Sequence, residues 1–425
     1  MSDGTGTGTP ASMAASRAET AGRPRAPVST AANIPPDATA RVTVGPAVSH
    51  DGGMPVARRL WTRAAWAAAL PTAGVAAARA VGFDRHPALC MANAGTHFVY
   101  LPAWGALAVG LRARRPGLTA VAGAVVAAHV AWTLPELRGR RRTGAVAGPG
   151  GGGGVLACTN REIGDSAQAS WRGRGRRGPA PGPGLAGAGG AGGARFRLVT
   201  SNVRAHSPDS TALGEELAAL DADVLLLQEL SIERLTDIKA AGAFDRYPYS
   251  FVDARPGSFG SGIWSKFPLE GGEGFEPGGP PRSRATIDVG GTKVRVFNVH
   301  AKAPVRRRWI GMWKSHLAAL EGEFTAAFAQ GPVILAGDFN STLGHEPFRR
   351  LLAAGLRDAH VDVGRWLART WPRPSLFRID HVLLSEGVEA VSVREGVGRS
   401  SDHRPVVAEL ALAALPARPG LPQLG

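Results

Sequence analysis

Cysteine is scarce in this chain: its 425 residues hold two, Cys90 and Cys158, in dissimilar surroundings. Two such thiols cannot build a disulfide framework or a cysteine-rich zinc site. No apolar core follows Met1, so no signal peptide is legible at the extreme N-terminus. An excess of charge is also missing where the chain looks folded. Residues 195–412 carry 27 Lys/Arg against 26 Asp/Glu, whereas residues 1–194 carry 21 against 8, so most of the formal +15 belongs to the first part of the chain. A high net charge suggests nucleic acid or acidic lipid as a partner, but this distribution weakens the simple nucleic-acid reading.

Residues 1–57 are rich in Ala, Gly, Ser, Thr and Pro without periodicity and are expected to be disordered. Polar residues then become rare. Three apolar runs, Ala64–Phe83, Asn93–Leu111 and Leu118–Leu134, each approach the length a helix needs to cross about 30 Å of hydrocarbon. Residues 58–137 are therefore expected to hold three transmembrane helices of a multi-pass cell-membrane protein. Trp66, Tyr100, Trp104 and Trp132 suit the membrane interface. Pro71 and Arg79 make the first run a marginal span, and a soluble helical hairpin is the alternative. Arg58, Arg59 and Arg63, with Arg112, Arg114 and Arg115, favour a topology that puts the C-terminal half outside the cytoplasm, while Arg138 and Arg140–Arg142 argue against it. Residues 138–194 read as a Gly/Arg-rich linker, and residues 413–425 as a tail.

From Arg195 to Leu412 the pattern is that of a globular domain. Strands are expected at Phe196–Val203, Asp223–Gln228, Gly262–Ser265, Ala285–Val289, Val294–Val299, Val333–Ala336, Ile379–Leu384, Val388–Val393 and Val406–Leu410. Helices are expected at Thr211–Leu220, Ser231–Ala240, Trp309–Phe328 and near Pro347–Ala354, and a hairpin turn at Gly290–Gly291. Strands outnumber helices and many neighbours are hairpin-linked. This predicts a mixed, largely antiparallel α/β sandwich with helices outside paired sheets.

Polar residues gather where these strands stop. Ile334–Asn340 (ILAGDFN) delivers Asp338 and Asn340 at the end of a buried strand, and Thr200–Asn202, Gln228–Glu229, Asn298–His300, Asp380–His381 and Ser401–His403 follow the same rule. Each has a bland reading taken alone. Glu229 is a cap or a surface charge, Asp338 and Asn340 are turn chemistry, His300 is a structural histidine, Asp380 pairs with Arg378, Asn202 caps a turn, and Asp402–His403 starts a loop. Their shared position after aliphatic strands argues against coincidence. Glu229, Asp338 and Asp402 are oxygen ligands suited to a hard cation such as Mg²⁺. His300 and His403 can donate to, or deprotonate, a group beside that cation. Asn202 and Asn340 can donate to a non-bridging oxygen, and Asp380 can orient a histidine. A metal, a His–Asp pair and amide donors make an apparatus for phosphoester hydrolysis.

The ordered set Ser201-Asn202, Gln228-Glu229, Ser261-Gly262-Ile263, Asn298-Val299-His300, Gly337-Asp338-Phe339-Asn340, Ile379-Asp380-His381 and Ser401-Asp402-His403-Arg404-Pro405 resembles the endonuclease/exonuclease/phosphatase superfamily over about residues 195–412. The resemblance implies a four-layered α/β sandwich of two packed mixed sheets with outer helices, and Mg²⁺-dependent cleavage of phosphoester bonds, with Mn²⁺ as a substitute. It implies Glu229 as the main metal ligand, with Asn202 beside it and Asp402 near the metal. Asp338 and Asn340 would position the attacking water and the phosphate. His300 would bind phosphate, and His403 would be the general base or a phosphate contact, oriented by Asp380. The three-run N-terminal layout also resembles membrane-anchored bacterial members.

Two departures from the family pattern stand out. Ala301-Lys302-Ala303 follows His300 where an aliphatic residue is common. The segment between Asn340 and Asp380 is short where DNA-cutting members carry insertions that grip a duplex, which puts a duplex-specific nuclease in doubt. Arg284 is a further candidate for phosphate contact, or a surface arginine. Arg306–Arg308, ahead of Trp309 and Trp313, suit a polyphosphate or lipid headgroup, or simply start a solvated helix. The expected function is a membrane-anchored phosphoester hydrolase acting on nucleic acid, a phospholipid headgroup or a small phosphodiester. The rivals are a catalytically idle phosphate- or lipid-binding module on the same anchor, and a soluble nuclease. Oligomeric state is not written in the sequence.

Overall fold

The computed structural model describes residues 56–82, 84–138, 193–207, 210–275, 282–372 and 376–413. The expected disordered N-terminus, linker and tail lie almost entirely outside the described residues. Five helices come first: α1 (Val56–Ala80), α2 (Pro87–Ala94), α3 (Thr96–Val99), α4 (Leu101–Arg112) and α5 (Pro116–Arg138). Then follow β1 (Arg195–Asn202), α6 (Thr211–Ala219), β2 (Val224–Gln228), α7 (Ile232–Ala240), β3 (Tyr249–Asp253), β4 (Ser261–Ser265), β5 (Leu269–Phe275), β6 (Arg282–Val289) and β7 (Thr292–His300). The chain continues with α8 (Arg307–Ala327), β8 (Val333–Asp338), α9 (Glu346–Ala353), β9 (Arg357–Asp358), α10 (Ala359–Asp362), β10 (Asp380–Leu384), β11 (Val388–Glu395) and β12 (Val406–Leu412).

The strands form two six-stranded sheets, ordered β11-β12-β1-β2-β4-β3 and β5-β6-β7-β8-β10-β9. The central pairs β1–β2 and β7–β8 are parallel, and the pairs around them are antiparallel. Both sheets are mixed, as expected. Side chains alternate across a strand, and here that alternation divides the apolar residues into three layers. Phe196, Leu198, Val224, Leu226, Val294, Val296, Ile334, Ala336, Val382 and Leu384 face inward and form the core between the sheets. Val199, Leu225 and Leu227 face outward, in one cluster with Leu213 and Leu217 of α6 and Ile238 of α7. Phe297, Val299, Leu335 and Leu383 face the other way, clustered with α8 and α9. Both faces of the central strands are covered, which is why they read as unbroken aliphatic runs.

The expected hairpin is present: Gly290 and Gly291 both take positive φ, 62° and 87°. Four short elements were not legible. β3 is largely exposed, β5 (LEGGEGF) is interrupted by glycines and a register shift, and β9 and α10 span two and four residues.

Of the three expected spans, two do not form a helix long and apolar enough to cross a membrane among the described residues. Among the described residues, Pro116–Leu134 is the segment long and apolar enough to cross a membrane, with 19 residues and a mean hydropathy of 1.6. The first run forms α1 but keeps Pro71 and Arg79. The second is not one helix. It breaks at Gly95 and again at Tyr100, ahead of Pro102, which has no N–H to continue the ladder. That leaves α4 with 12 residues, about 18 Å of rise.

The helical region shares packing with the sandwich. Cys90 of α2 lies in the cluster formed by Phe297, Ile310, Trp313 and Leu335. The His345 ring accepts from Thr342 N at 3.0 Å through Nδ1 and donates from Nε2 to the Cys90 carbonyl at 2.9 Å. Thr342 Oγ1 donates to Ala94 O at 3.3 Å. At Gly344 a Cβ would sit 1.8 Å from the Asn93 carbonyl. Gly344→Ala must therefore push α2 away and is expected to cost about 2–4 kcal/mol. Gly311→Ala, on the open face of α8, is expected to be neutral or to stabilise by up to about 1 kcal/mol. Chemical denaturation of the two variants checks the contrast.

Candidate active site

Where the aliphatic core stops, the inner faces turn polar in two tiers. The lower tier ties the sheets together. Gln228 Nε2 donates to Thr200 Oγ1 at 2.9 Å and to Asn298 Oδ1 at 2.7 Å, and Asn298 Nδ2 donates to the carbonyls of Leu227 at 2.9 Å and Gly262 at 3.0 Å. Ser261 and Ser283 hydroxyls meet at 3.0 Å. Buried amides need such partners, so this tier also fixes how the sheets face each other.

The upper tier holds Asn202, His300, Asp338 and Asp380, all of them on the inward parity of β1, β7, β8 and β10. Gly337 allows the close approach of β8 to β7: its φ is 144° and a Cβ there would lie 2.0 Å from the Val299 carbonyl. Glu229 follows β2 at a position that would face outward if the strand continued. Its φ of 54° is left-handed, a conformation costly for a non-glycine residue, and the turn brings its carboxylate back over the sheet end. There Oε1 accepts from Asn202 Nδ2 at 3.1 Å and Oε2 accepts from Ala205 N at 3.3 Å. Asn340 is also left-handed, at φ 47°, which its short amide tolerates. Its backbone N–H caps Asp338 Oδ1 at 2.8 Å.

Four nitrogens converge on the other Asp338 oxygen. Asn202 Nδ2 lies 3.0 Å and Asn340 Nδ2 3.2 Å from Oδ2, and the Nε2 atoms of His300 and His403 lie 3.8 and 3.9 Å away. His300 Nε2 is also 3.6 Å from Glu229 Oε1. His403 turns its other nitrogen, Nδ1, to Asp380, 2.9 Å from Oδ2 and 3.2 Å from Oδ1.

The outer face of β10 carries a second pair. His381 Nδ1 meets Asp358 Oδ2 at 2.7 Å, and His381 Nε2 donates to the Ser341 carbonyl at 2.9 Å. This buried pair holds the turn that bears Asn340. Arg234, also buried, donates to Val203 O at 2.9 Å, Ser210 Oγ at 2.6 Å and Ser400 O at 3.0 Å. It thereby ties the exit of β1 to the loop before His403. Asp358 and Arg234 carried no motif signal. Only the fold brings them to these turns.

The electrostatics follow from burial and proximity. Burial pushes the Asp338 carboxyl up, and with Asp380 nearby it reaches about 7 despite His403. Burial opposes the charge on His403, but Asp380 and Asp338 outweigh it and raise the imidazole to about 10. Burial also works against the Glu229 carboxylate, yet His300 and the N–H donors of Asn202 and Ala205 hold it below the usual range.

One sequence candidate does not join this tier. Arg284 has the opposite parity to Ala285 and Ile287, so it lies on the helix-facing side of β6. Its Nε donates to Glu273 at 2.7 Å and it pairs with Glu323 of α8. Asp402 accepts from Trp371 Nε1 at 3.0 Å and lies 3.8 Å from Arg204 Nε. Asn202 is in the tier, but its carbonyl oxygen accepts from Arg204 N at 2.9 Å. It presents a donor, not a ligand oxygen, to the carboxylates. Among the described residues, Asp338, Asp380 and His403 have ligand atoms within 4.8 Å of one another. Asp380 is engaged there by the imidazole, while Asp338 and Glu229 share the Asn202 amide as a donor.

Residues 199–403 match the model of the Endonuclease/Exonuclease/phosphatase family. No curated protein matches the chain. Among solved structures, an endonuclease/exonuclease/phosphatase from Beutenbergia cavernae is 22% identical, with 53% of this chain and 73% of that one covered and a TM-score of 0.43. A truncated TDP2 from Caenorhabditis elegans is 16% identical, with 52% and 98% covered and a TM-score of 0.44. The 3′ phosphatase NExo from Neisseria, bound to a product DNA hairpin, is 21% identical, with 50% and 98% covered and a TM-score of 0.41.

The raised His403 value makes a stability prediction. The folded imidazole holds its proton more tightly than the unfolded one, so its contribution is full below pH 6.5 and is lost as pH rises toward about 10. In EDTA, the thermal midpoint of the wild type is expected to fall across that window more steeply than that of His403→Gln. Parallel curves would contradict it.

Proposed function

We propose that residues 195–412 hydrolyse phosphoesters with the aid of Mg²⁺, and that the preceding helices hold this domain at a membrane. The observation that carries the first part is the convergence of Asn202, Asn340, His300 and His403 on Asp338 Oδ2. Donors collected around one carboxylate oxygen suit the non-bridging oxygens of a phosphate.

A hard cation fits the donor set. The Glu229 carboxylate, with that of Asp338 beside it, would hold Mg²⁺ or Mn²⁺ through oxygen. When bound, the cation supplies charge neutralisation at the phosphate. The remaining work falls to side chains. Asp338, aligned by the Asn340 N–H and the Asn202 amide, orients the attacking water and takes its proton. His403, kept protonated by Asp380, donates from Nε2 to the phosphate. This favours the phosphate-contact role for His403 over the general-base role. His300 and Asn340 donate to the remaining oxygens, and Asn202 fixes the Glu229 carboxylate.

Turnover of bis(p-nitrophenyl) phosphate and p-nitrophenyl phosphate by the full-length protein in detergent tests this reading. Mg²⁺ is expected to support hydrolysis and EDTA to abolish it. Glu229→Gln and His403→Gln should each lower kcat by about 10²–10³-fold without change in the circular dichroism spectrum. Near-normal rates in either variant contradict the assigned roles. For the anchor, α5 carries the support, with Trp132 near one end and Arg138 beyond the apolar run. Membranes washed with sodium carbonate are expected to retain the protein, and release by the wash contradicts spanning.

A further inference from the structure

Four cations stand within seven residues directly after β7: Lys302, Arg306, Arg307 and Arg308. Several arginines elsewhere in the sandwich are answered by carboxylates: Arg197 by Glu409, Arg284 by Glu273 and Glu323, Arg357 by Asp362, and Arg365 by Glu395. None of these four forms an ion pair among the described residues. Three of them gather on one ring instead. Lys302 Nζ lies 4.2 Å from the Trp309 centroid, Arg306 Cζ 4.8 Å and Arg308 Cζ 5.6 Å. The indole attracts each cation, but it also brings like charges together. The same residues crowd the start of α8, whose first turn has no acid, where the helix dipole disfavours cations. A bound anion relieves both repulsions.

The cluster borders the site through one residue. Ala301 N donates to the Asp338 carbonyl at 2.9 Å, and the Ala301 carbonyl accepts from Asn340 Nδ2 at 2.9 Å. Lys302 follows at once, its Cα about 3.8 Å along the chain. The catalytic half as a whole is nearly neutral, so the concentration of charge is local to this edge.

We propose that Lys302, Arg306 and Arg308, with Trp309 as platform, form a second anion subsite for a phosphate of the substrate other than the one attacked. The proposal rests on the phosphoester-hydrolase reading and narrows it to phosphoesters that carry an additional phosphate. A flanking phosphodiester of a nucleic acid and a phosphorylated lipid headgroup supply the same group. The contact is made before and during reaction alike, so it acts on KM and leaves kcat unchanged.

The test uses the full-length protein in detergent with Mg²⁺ and two substrates, thymidine 5′-(p-nitrophenyl phosphate) with and without a 3′-phosphate. In the wild type the 3′-phosphate is expected to lower KM about tenfold, the size of one charge-assisted hydrogen bond. The Lys302→Gln, Arg306→Gln, Arg308→Gln triple variant is expected to lose that difference while hydrolysing the single-phosphate ester like the wild type. Arg307→Gln, which leaves the three cations on the ring, is expected to keep it. Equal KM values in the wild type, a difference retained by the triple variant, or its loss in Arg307→Gln overturns the subsite. Failure to hydrolyse either substrate overturns the reading beneath it. Competition by tetrathymidylate, set against phosphatidylcholine vesicles doped with a phosphatidylinositol phosphate, separates the two sources. Whichever competes should do so with the wild type and not with the triple variant, and equal competition with both proteins again overturns the subsite.

Discussion

Two amides and two imidazoles from four separate elements surround a single oxygen, Oδ2 of Asp338. That convergence depends on strand parity more than on any one bond. Asn202, His300, Asp338 and Asp380 share the inward face with the aliphatic core below them, and a one-residue slip in any of these strands would turn its polar residue outward. The register is pinned by the core, and also by the lower tier, where Gln228 and Asn298 hydrogen-bond across the sheets while Gln228 also holds Thr200 of its own sheet. The stability of the sandwich and the geometry at its mouth are thus set by the same alternation.

The site departs from regular structure at two points, Glu229 and Asn340, and both are left-handed. At Glu229 the turn brings an outward-parity carboxylate back over the sheet end, and at Asn340 it lets the backbone N–H cap Asp338 Oδ1. The surrounding bonds hold those turns in place. Asn202 and Ala205 grip the Glu229 carboxylate, and the Asp358–His381–Ser341 chain grips the Asn340 turn from behind. β10 therefore carries two buried His–Asp pairs on opposite faces, one beside Asp338 on the inward face and one behind it as support.

Much of this was legible in the sequence because aliphatic strands ending in polar residues leave a local signal. Ile334–Asn340 is readable without coordinates. What stayed hidden was set by three-dimensional relations. Arg284 looked available until parity put it on the helix-facing side of β6 with Glu273 and Glu323. Asp402, an expected ligand, accepts from Trp371 and lies 3.8 Å from Arg204, contacts that no local pattern announces. The apolar run Asn93–Leu111 looked continuous, but Gly95 and Pro102 divide it. Its upstream neighbour α2 serves the sandwich instead, with Cys90 in the core beside Trp313. Composition alone gives no hint that a helix from the first third of the chain completes a core formed two hundred residues later.

The most direct test is the position of bound ligands in a crystal grown with Mn²⁺ and inorganic phosphate. The manganese anomalous peak is expected against the Glu229 carboxylate, on the side facing Asp338. Phosphate oxygens should lie about 3 Å from nitrogens of Asn340, His300 and His403. Manganese seated elsewhere, or phosphate bound away from these nitrogens, would contradict the claim that the inward-facing polar residues of both sheets make one site.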